Sequence, residues 1–205
     1  MRRKSIVIVL IVAVLLIAAF ILFPRKRPDL SQYEKFREPA FITLPSQKMI
    51  VVEATGTPES VSRDAIRLLF KLYFNLDDVP KGLHLPAPRA RWPNSLDTPK
   101  AQWTGRFALP VPDHVSALPQ FASKAKLGTK LETWTYGDTA QILHVGPYDK
   151  ETPNIERLRA FITAQGYEIA DEHEEEYLRG PTMFGKGNPE KYYTLIRYVV
   201  RPVSH

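Results

Sequence analysis

The sequence predicts an α+β domain built from two copies of one strand–helix unit and carried behind a single membrane span. Three stretches predict it. Thr139–Phe161 (TAQILHVGPYDKETPNIERLRAF) runs from a strand-like segment through a Gly146-Pro147 turn into a helix that opens at Thr152-Pro153. Met49–Phe70 (MIVVEATGTPESVSRDAIRLLF) has the same order of strand, glycine, Thr-Pro and amphipathic helix. Ahead of both, Ser5–Phe23 (SIVIVLIVAVLLIAAFILF) is a run of nineteen residues without a charge.

At about 1.5 Å rise per residue, that run matches the hydrocarbon thickness of a bilayer. A cleaved signal peptide has a shorter apolar core and a small-residue cleavage site. Here the run ends in Leu22-Phe23-Pro24 and is followed by Arg25-Lys26-Arg27, so residues 1–27 are expected to be an uncleaved single-pass anchor with basic flanks. The positive-inside bias nearly cancels, with three basic residues on each side of the span. The short N-terminal tail favours an inside N-terminus and an extracytoplasmic domain. Residues 28–46, with Pro28, Pro39 and Pro45 among charges, read as a proline-rich tether, and residues 47–205 as the domain.

The formal charge of +6 invites a nucleic-acid reading, and its distribution removes that reading. Six of the 28 basic residues (Arg2, Arg3, Lys4, Arg25, Lys26, Arg27) flank the apolar run, leaving 22 against 22 acidic residues. The excess belongs to the membrane flanks, and DNA binding loses its electrostatic support. Hydrophobic content of 44% and aromatic content of 11% describe a globular core. The absence of cysteine excludes disulfides and thiolate chemistry.

Met49–Ala54 is apolar and β-branched, a strand that Gly56 ends. Thr57-Pro58 then places a hydroxyl at the N-cap and proline at the first helical position. Val61, Ala65, Leu68 and Leu72 form one stripe of a helix reaching about Phe74. Lys81–Pro99 is proline-rich, with Leu83–Pro86 as a possible short strand, and Thr104–Pro112 (TGRFALPVP) is a strand whose prolines suit an edge or end position. Pro119–Ala125 is read as one or two helical turns. Thr129–Tyr136 and Thr139–Val145 are strands around a Gly137-Asp138 bend or hairpin. The second helix carries Ile155, Leu158, Phe161 and Ile162 on one face and stops at Gly166. His173–Leu178 and Tyr192–Val200 are strands, joined by the glycine-rich loop Arg179–Lys191.

HVGPY (His144–Tyr148), the helix after it, EEYLRGP (Glu175–Pro181) and NPEKYYTLIRYVV (Asn188–Val200) together resemble the GyrI-like small-molecule-binding domain. This superfamily includes the effector domains of BmrR- and Rob-like transcription regulators. RFALPVP (Arg106–Pro112) is similar to the strand closing that family's first half. The likeness spans roughly Met49–Val203. It implies a duplicated β-α-β-β unit forming one antiparallel sheet, both helices packed on one face, and a ligand cleft on the other face near the pseudo-twofold axis. A membrane span stands where such regulators carry a DNA-binding region. The resemblance therefore implies membrane-anchored sensing or sequestration of an amphiphilic or aromatic ligand without nucleic acid.

Glu175 and Tyr177 match the family's Glu-x-Tyr-Leu strand and share a strand face with His173. In drug-binding relatives a buried carboxylate among aromatics holds cationic ligands. In others such a carboxylate works as an acid or base in hydrolysis of strained compounds. Hydrolysis using Glu175 and Tyr177 is thus one alternative, and a membrane-tethered protein-interaction module with a vestigial cleft is another. Against a pocket role, His173–Glu176 is a charge run of the kind that makes a solvated face. Leu195 stands where several relatives have a cleft-facing glutamate, which implies a more apolar cleft with Arg197 at one end. Trp103, Trp134, Tyr136 and Tyr193 complete the expected ligand-binding set, with Trp134 and Tyr136 as its lining pair. His144 reads as structural. The five histidines show no metal-ligand spacing, and no phosphate-binding loop, dinucleotide fingerprint or nucleophile elbow is present, so no metal or cofactor is expected.

Overall fold

A computed structural model of the chain describes residues 29–82, 85–92, 98–181 and 187–203. The expected anchor Ser5–Phe23 lies outside them. Among the described residues no helix is long and apolar enough to cross a membrane. In chain order the elements are β1 (Ala40–Leu44), β2 (Gln47–Thr55), α1 (Pro58–Phe74), β3 (Arg89–Trp92), β4 (Thr104–Pro110) and β5 (Gly128–Trp134). They continue as β6 (Gly137–Val145), α2 (Thr152–Ala164), β7 (Tyr167–Ile169), β8 (His173–Arg179) and β9 (Tyr193–Pro202).

The strands form one antiparallel sheet in the order β1-β6-β9-β8-β3-β4-β2-β5, with β7 on the far end of β9. The order reads as two copies of one unit. β6-β9-β8 meets β2-β4-β3 back to back across the central β3–β8 pair, where Ala90 faces Glu175. Each unit sends its helix across between its first and second strands, so the duplicated β-α-β-β order expected from the sequence is present.

The two ends of the sheet also meet. β1 runs into β2 and β5 into β6, each through a two-residue bend, and the register between the two long strands is continuous. Ala40 faces Gln141, Leu44 faces Gly137, Gln47 faces Trp134 and Glu53 faces Gly128. The sheet therefore curls into a closed barrel with both helices outside. This explains the composition of β2. Met49, Ile50, Val51 and Val52 are all fully buried because one face lies under α1 and the other looks into the barrel. A strand covered on both sides reads as a continuous apolar run.

Outside, α1 packs Ala65, Leu69, Leu72 and Tyr73 on Ile50, Val52, Phe107 and Leu109. The shorter α2 packs Leu158 and Ile162 on Ile142, Ile196 and Tyr198. Each fully buried leucine or isoleucine here contributes about 2 kcal/mol. Gly166 closes α2 with φ of 77°, the left-handed conformation glycine supplies at a helix end.

Several sequence expectations are corrected. The segment read as a tether belongs to the domain from Ser31 onward. A 3-10 turn at Ser31–Arg37 drives Phe36 against Leu143 and Leu195, plugging one end of the barrel, and β1 pairs with β6. Gly137-Asp138 is no hairpin, since β5 and β6 continue one another instead of pairing. β4 is interior, between β3 and β2, so of the edge or end positions expected for its prolines Pro110 takes the end. In the stretch Leu83–Pro86, Leu83 and His84 lie outside the described residues and Leu85-Pro86 is not a strand; the strand there is β3, further on.

Candidate ligand site

β8 decides the site, because a strand sends successive side chains to opposite faces. Its sequence is HEEEYLR. Glu174 and Glu176 point into the barrel; His173, Glu175 and Tyr177 point out, to the face carrying the helices. The register agrees. Glu175 sits between Ala90 and Ile196, both in the helix-side cores, while Glu174 sits between Arg91 and Arg197.

Inside the barrel the charges are matched. Glu174 accepts from Arg91 Nε at 2.8 Å, Arg197 Nη1 at 3.1 Å and the Tyr136 hydroxyl at 3.0 Å. Arg197 Nη2 donates to Glu176 at 2.5 Å, Arg91 Nη1 to Asp171 at 2.9 Å, and Arg89 Nη1 to the Tyr136 hydroxyl at 2.6 Å. The Arg91 guanidinium lies 4.2 Å from the Trp134 ring centre. Burial opposes ionisation of Glu176, but Arg197 and Arg89 more than offset it and hold its carboxyl below the usual range. Among the described residues this face carries a matched network of buried charges.

The outer face around Glu175 differs. Its carboxylate accepts from the Tyr177 hydroxyl at 2.7 Å and meets His173 Nε2 at 3.0 Å. His173 Nδ1 in turn meets the Tyr198 hydroxyl at 2.9 Å. A second carboxyl lies beside Glu175. Glu151, at the N-cap of α2, is buried next to Glu175 and the Thr194 hydroxyl, and its Oε1 has no hydrogen-bond partner among the described residues. Two carboxylates in contact have no donor between them; one proton supplies it. Burial, then the charge of Glu175, pushes Glu151 up to about 10. Burial also works against the Glu175 anion, but the bond and charge of His173 and the bonds from Tyr177 and Glu151 outweigh it and hold Glu175 below the usual range. At neutral pH the pair carries one proton and one negative charge.

Aromatic rings enclose this pair. Tyr148 sits on Tyr177 and Tyr192, at 5.5 and 5.1 Å between ring centres. Tyr198 stands edge-on to His173, and Trp92, the cross-strand neighbour of His173, contacts Trp103 and Phe107. Gly180 lets the Tyr148 hydroxyl approach its backbone so closely that a Cβ there would lie 2.5 Å from it. Burial and neighbouring carboxylates raise the Tyr148 and Tyr177 phenols, which stay protonated. His144 pins the turn. Its Nε2 donates to the Pro147 carbonyl at 3.0 Å, its Nδ1 meets the Asn154 amide at 3.1 Å, and burial lowers its pKa.

The sequence-derived site residues thus divide between two faces. Glu175, Tyr177 and Trp103 lie on the helix side, where the Trp103 indole N–H donates to the Thr98 carbonyl at 2.7 Å. Trp134, Tyr136, Leu195 and Arg197 lie inside the barrel. Tyr193 packs with the Phe36 plug and under Arg179. Leu195 consequently touches Phe36 and not the surroundings of Glu175, so its apolar character does not set the charge of the outer face. Nor is the HEEE run a solvated face. Glu174 is 2% exposed and the Glu175 side chain 13%. Glu151, Trp92 and Tyr198 went unnoticed in the sequence. An acid ahead of Thr-Pro passes for an ordinary helix cap, and only the fold brings it to Glu175.

No family model matches the sequence, and no curated protein is detectably similar to it. Solved structures are. An uncharacterised conserved protein from Listeria innocua superposes with a TM-score of 0.67 at 22% identity, over 84% of this chain and 99% of its own. A hydrolase from Listeria innocua gives 0.64 at 21%, over 84% and 98%. The C-terminal domain of EcmrR gives 0.60 at 13%, over 81% and 98%. The fold is GyrI-like. At these identities the likeness establishes the architecture, and the chemistry must come from the side chains.

Proposed function

We propose that the protein binds a small aromatic or amphiphilic cation on the helix side of its sheet, around Glu175, and serves as a membrane-held sensor or sequestering domain. One observation carries this reading. A buried carboxyl pair ringed by Tyr148, Tyr177, Tyr198 and His173 has no arginine or lysine in ion-pair contact among the described residues, while Arg89, Arg91 and Arg197 are committed to the other face. The anion is held by His173 and Tyr177; a ligand cation would add a charge–charge attraction and gain about 0.5–2 kcal/mol from each ring it faces. Tyr148 is the ring that would swing aside to admit it. Tetraphenylphosphonium, titrated calorimetrically against the detergent-solubilised protein, is expected to bind saturably, with tetraphenylborate not binding and Glu175→Gln weakening the cation at least about tenfold. Equal binding of both ions would defeat the reading.

The membrane part rests on the sequence. Ser5–Phe23 would hold the domain at the bilayer, on the extracytoplasmic side. Resistance of the protein to alkaline carbonate extraction, and digestion of the domain by protease added to intact cells, are the expected results.

The acid–base pairing favours one second reading. A protonated Glu151 beside an ionised Glu175, with the Tyr177 phenol in contact, is an arrangement suited to hydrolysis of a strained or activated small molecule. Turnover on prolonged incubation, abolished by Glu175→Gln, would support it; saturable binding of an unchanged ligand would count against it.

A further inference from the structure

The charge state of the site before a ligand arrives has a consequence for how a ligand enters, given the cation-binding reading above. We propose that the site exchanges one proton for each cation it takes up: the Glu151–Glu175 pair holds a single proton when empty and releases it from the Glu151 carboxyl to solvent when a cation enters. The geometry points to this. The two carboxyls come from different elements, the N-cap of α2 and the central strand β8, and lie beside one another, with Glu151 buried, its Oε1 unpartnered among the described residues, and Tyr148 packed on Tyr177 next to them. The empty pair has one proton and a charge of −1. With a monovalent cation present and the proton gone, two carboxylates and one cation again sum to −1. The buried region thus keeps the same net charge through the exchange, which avoids burying any additional charge.

The other titratable groups facing the pair do not offer an equivalent proton. His144 on β6 is bonded at both ring nitrogens as a neutral imidazole, with Nε2–H held by the Pro147 carbonyl. Tyr148 in the turn, Tyr177 on β8, and Tyr192 and Tyr198 at β9 are phenols whose ionisation burial suppresses. His173 on β8 turns Nε2 to Glu175 and Nδ1 to the Tyr198 hydroxyl, so its ring is held at both nitrogens. Arg37 acts on His144 and Arg159 on Tyr198, each one step removed from the pair. Glu151 is left as the acid whose proton competes directly with a ligand's charge.

The test is calorimetric titration of the full-length protein with tetraphenylphosphonium at pH 7.5 in phosphate and in Tris, whose ionisation heats differ, and then affinity measured from pH 6 to 9. Release of about one proton per cation, and affinity rising by up to about tenfold per pH unit, are expected. Glu151→Gln is expected to bind the cation with pH-independent affinity and no proton release. Identical heats in the two buffers, with affinity flat in pH, would overturn the exchange while leaving cation binding standing. Failure of the wild type to bind the cation at all would overturn both. Undiminished proton release from Glu151→Gln would assign the proton to another group and overturn the proposal. The wild-type comparison of buffers stands without any variant, should Glu151→Gln fold poorly.

Discussion

Glu174 and Glu175 are neighbours in sequence, and their removal should have opposite consequences. Glu174→Gln takes one charge from the barrel interior, where Glu174 is the shared acceptor of Arg91, Arg197 and Tyr136. A glutamine amide has one oxygen for three donors, and its NH2 group would face a guanidinium. Two buried arginines lose part of their compensation, which costs about 3–5 kcal/mol. With an m-value of about 2 kcal/mol/M, typical for a domain of this size, the urea midpoint should fall by about 1.5–2.5 M. Glu175→Gln gives up bonds to Tyr177 and His173 but relieves the contact with Glu151, so stability should change by less than about 1 kcal/mol while tetraphenylphosphonium binding collapses. Arg201→Ala is a control: its pair with Glu168 is 68% and 46% exposed and is worth about 0–1 kcal/mol. Urea unfolding followed by tryptophan fluorescence reads all three. If Glu174→Gln shifts the midpoint no more than Arg201→Ala does, the barrel network is not the structural lock argued here.

Three further outcomes follow from the same packing. Because Glu151 takes up its proton in the folded state well above its unfolded range, the native state binds more protons than the unfolded chain between about pH 5 and 10, and stability should fall as pH rises through that window. Urea midpoints at pH 5.5 and 8.5 should show that decline in the wild type and less of it in Glu151→Gln. A fragment beginning at Ser46 should be less stable than one beginning at Asp29 by several kcal/mol, since it lacks β1 and the buried Leu30 and Phe36, each worth about 1.5–3 kcal/mol; thermal melts of the two check it. Gly105→Ala would set a Cβ 2.7 Å from both Phe107 and Trp92, whose rings are packed in the core, and should cost about 1–3 kcal/mol in the same melts.

The duplicated units were legible because their signals are local. The strand, glycine and Thr-Pro sequence repeats, and the helix ends fall where proline and glycine put them: α1 at Pro58–Phe74, α2 closing at Gly166. What was illegible depends on long-range closure. Ala40–Leu44 has too few residues and too many prolines nearby to announce a strand, and it becomes one because β6, about a hundred residues later, offers an edge. Arg89-Ala90-Arg91-Trp92 alternates as a strand should, but its arginines point inward, which inverts the usual sense of polar residues. The three glutamates of β8 read as a solvated face since no sequence rule shows that both faces of that strand are covered.

Closure of the barrel is also what makes the site intelligible. In an open sheet, Arg91 and Arg197 would be long cations with freedom to reach around an edge and neutralise a carboxylate on either side. Inside a closed barrel they are confined, and each is bonded to Glu174. One strand thereby carries acids of two kinds, separated by the thickness of the sheet. Glu174 and Glu176 have their guanidinium partners built in, whereas Glu175 has His173, a second acid and aromatic rings around it. A fold that commits Arg89, Arg91 and Arg197 to one side leaves the acid on the other without a guanidinium partner among the described residues, and that is where the proposed cation would bind.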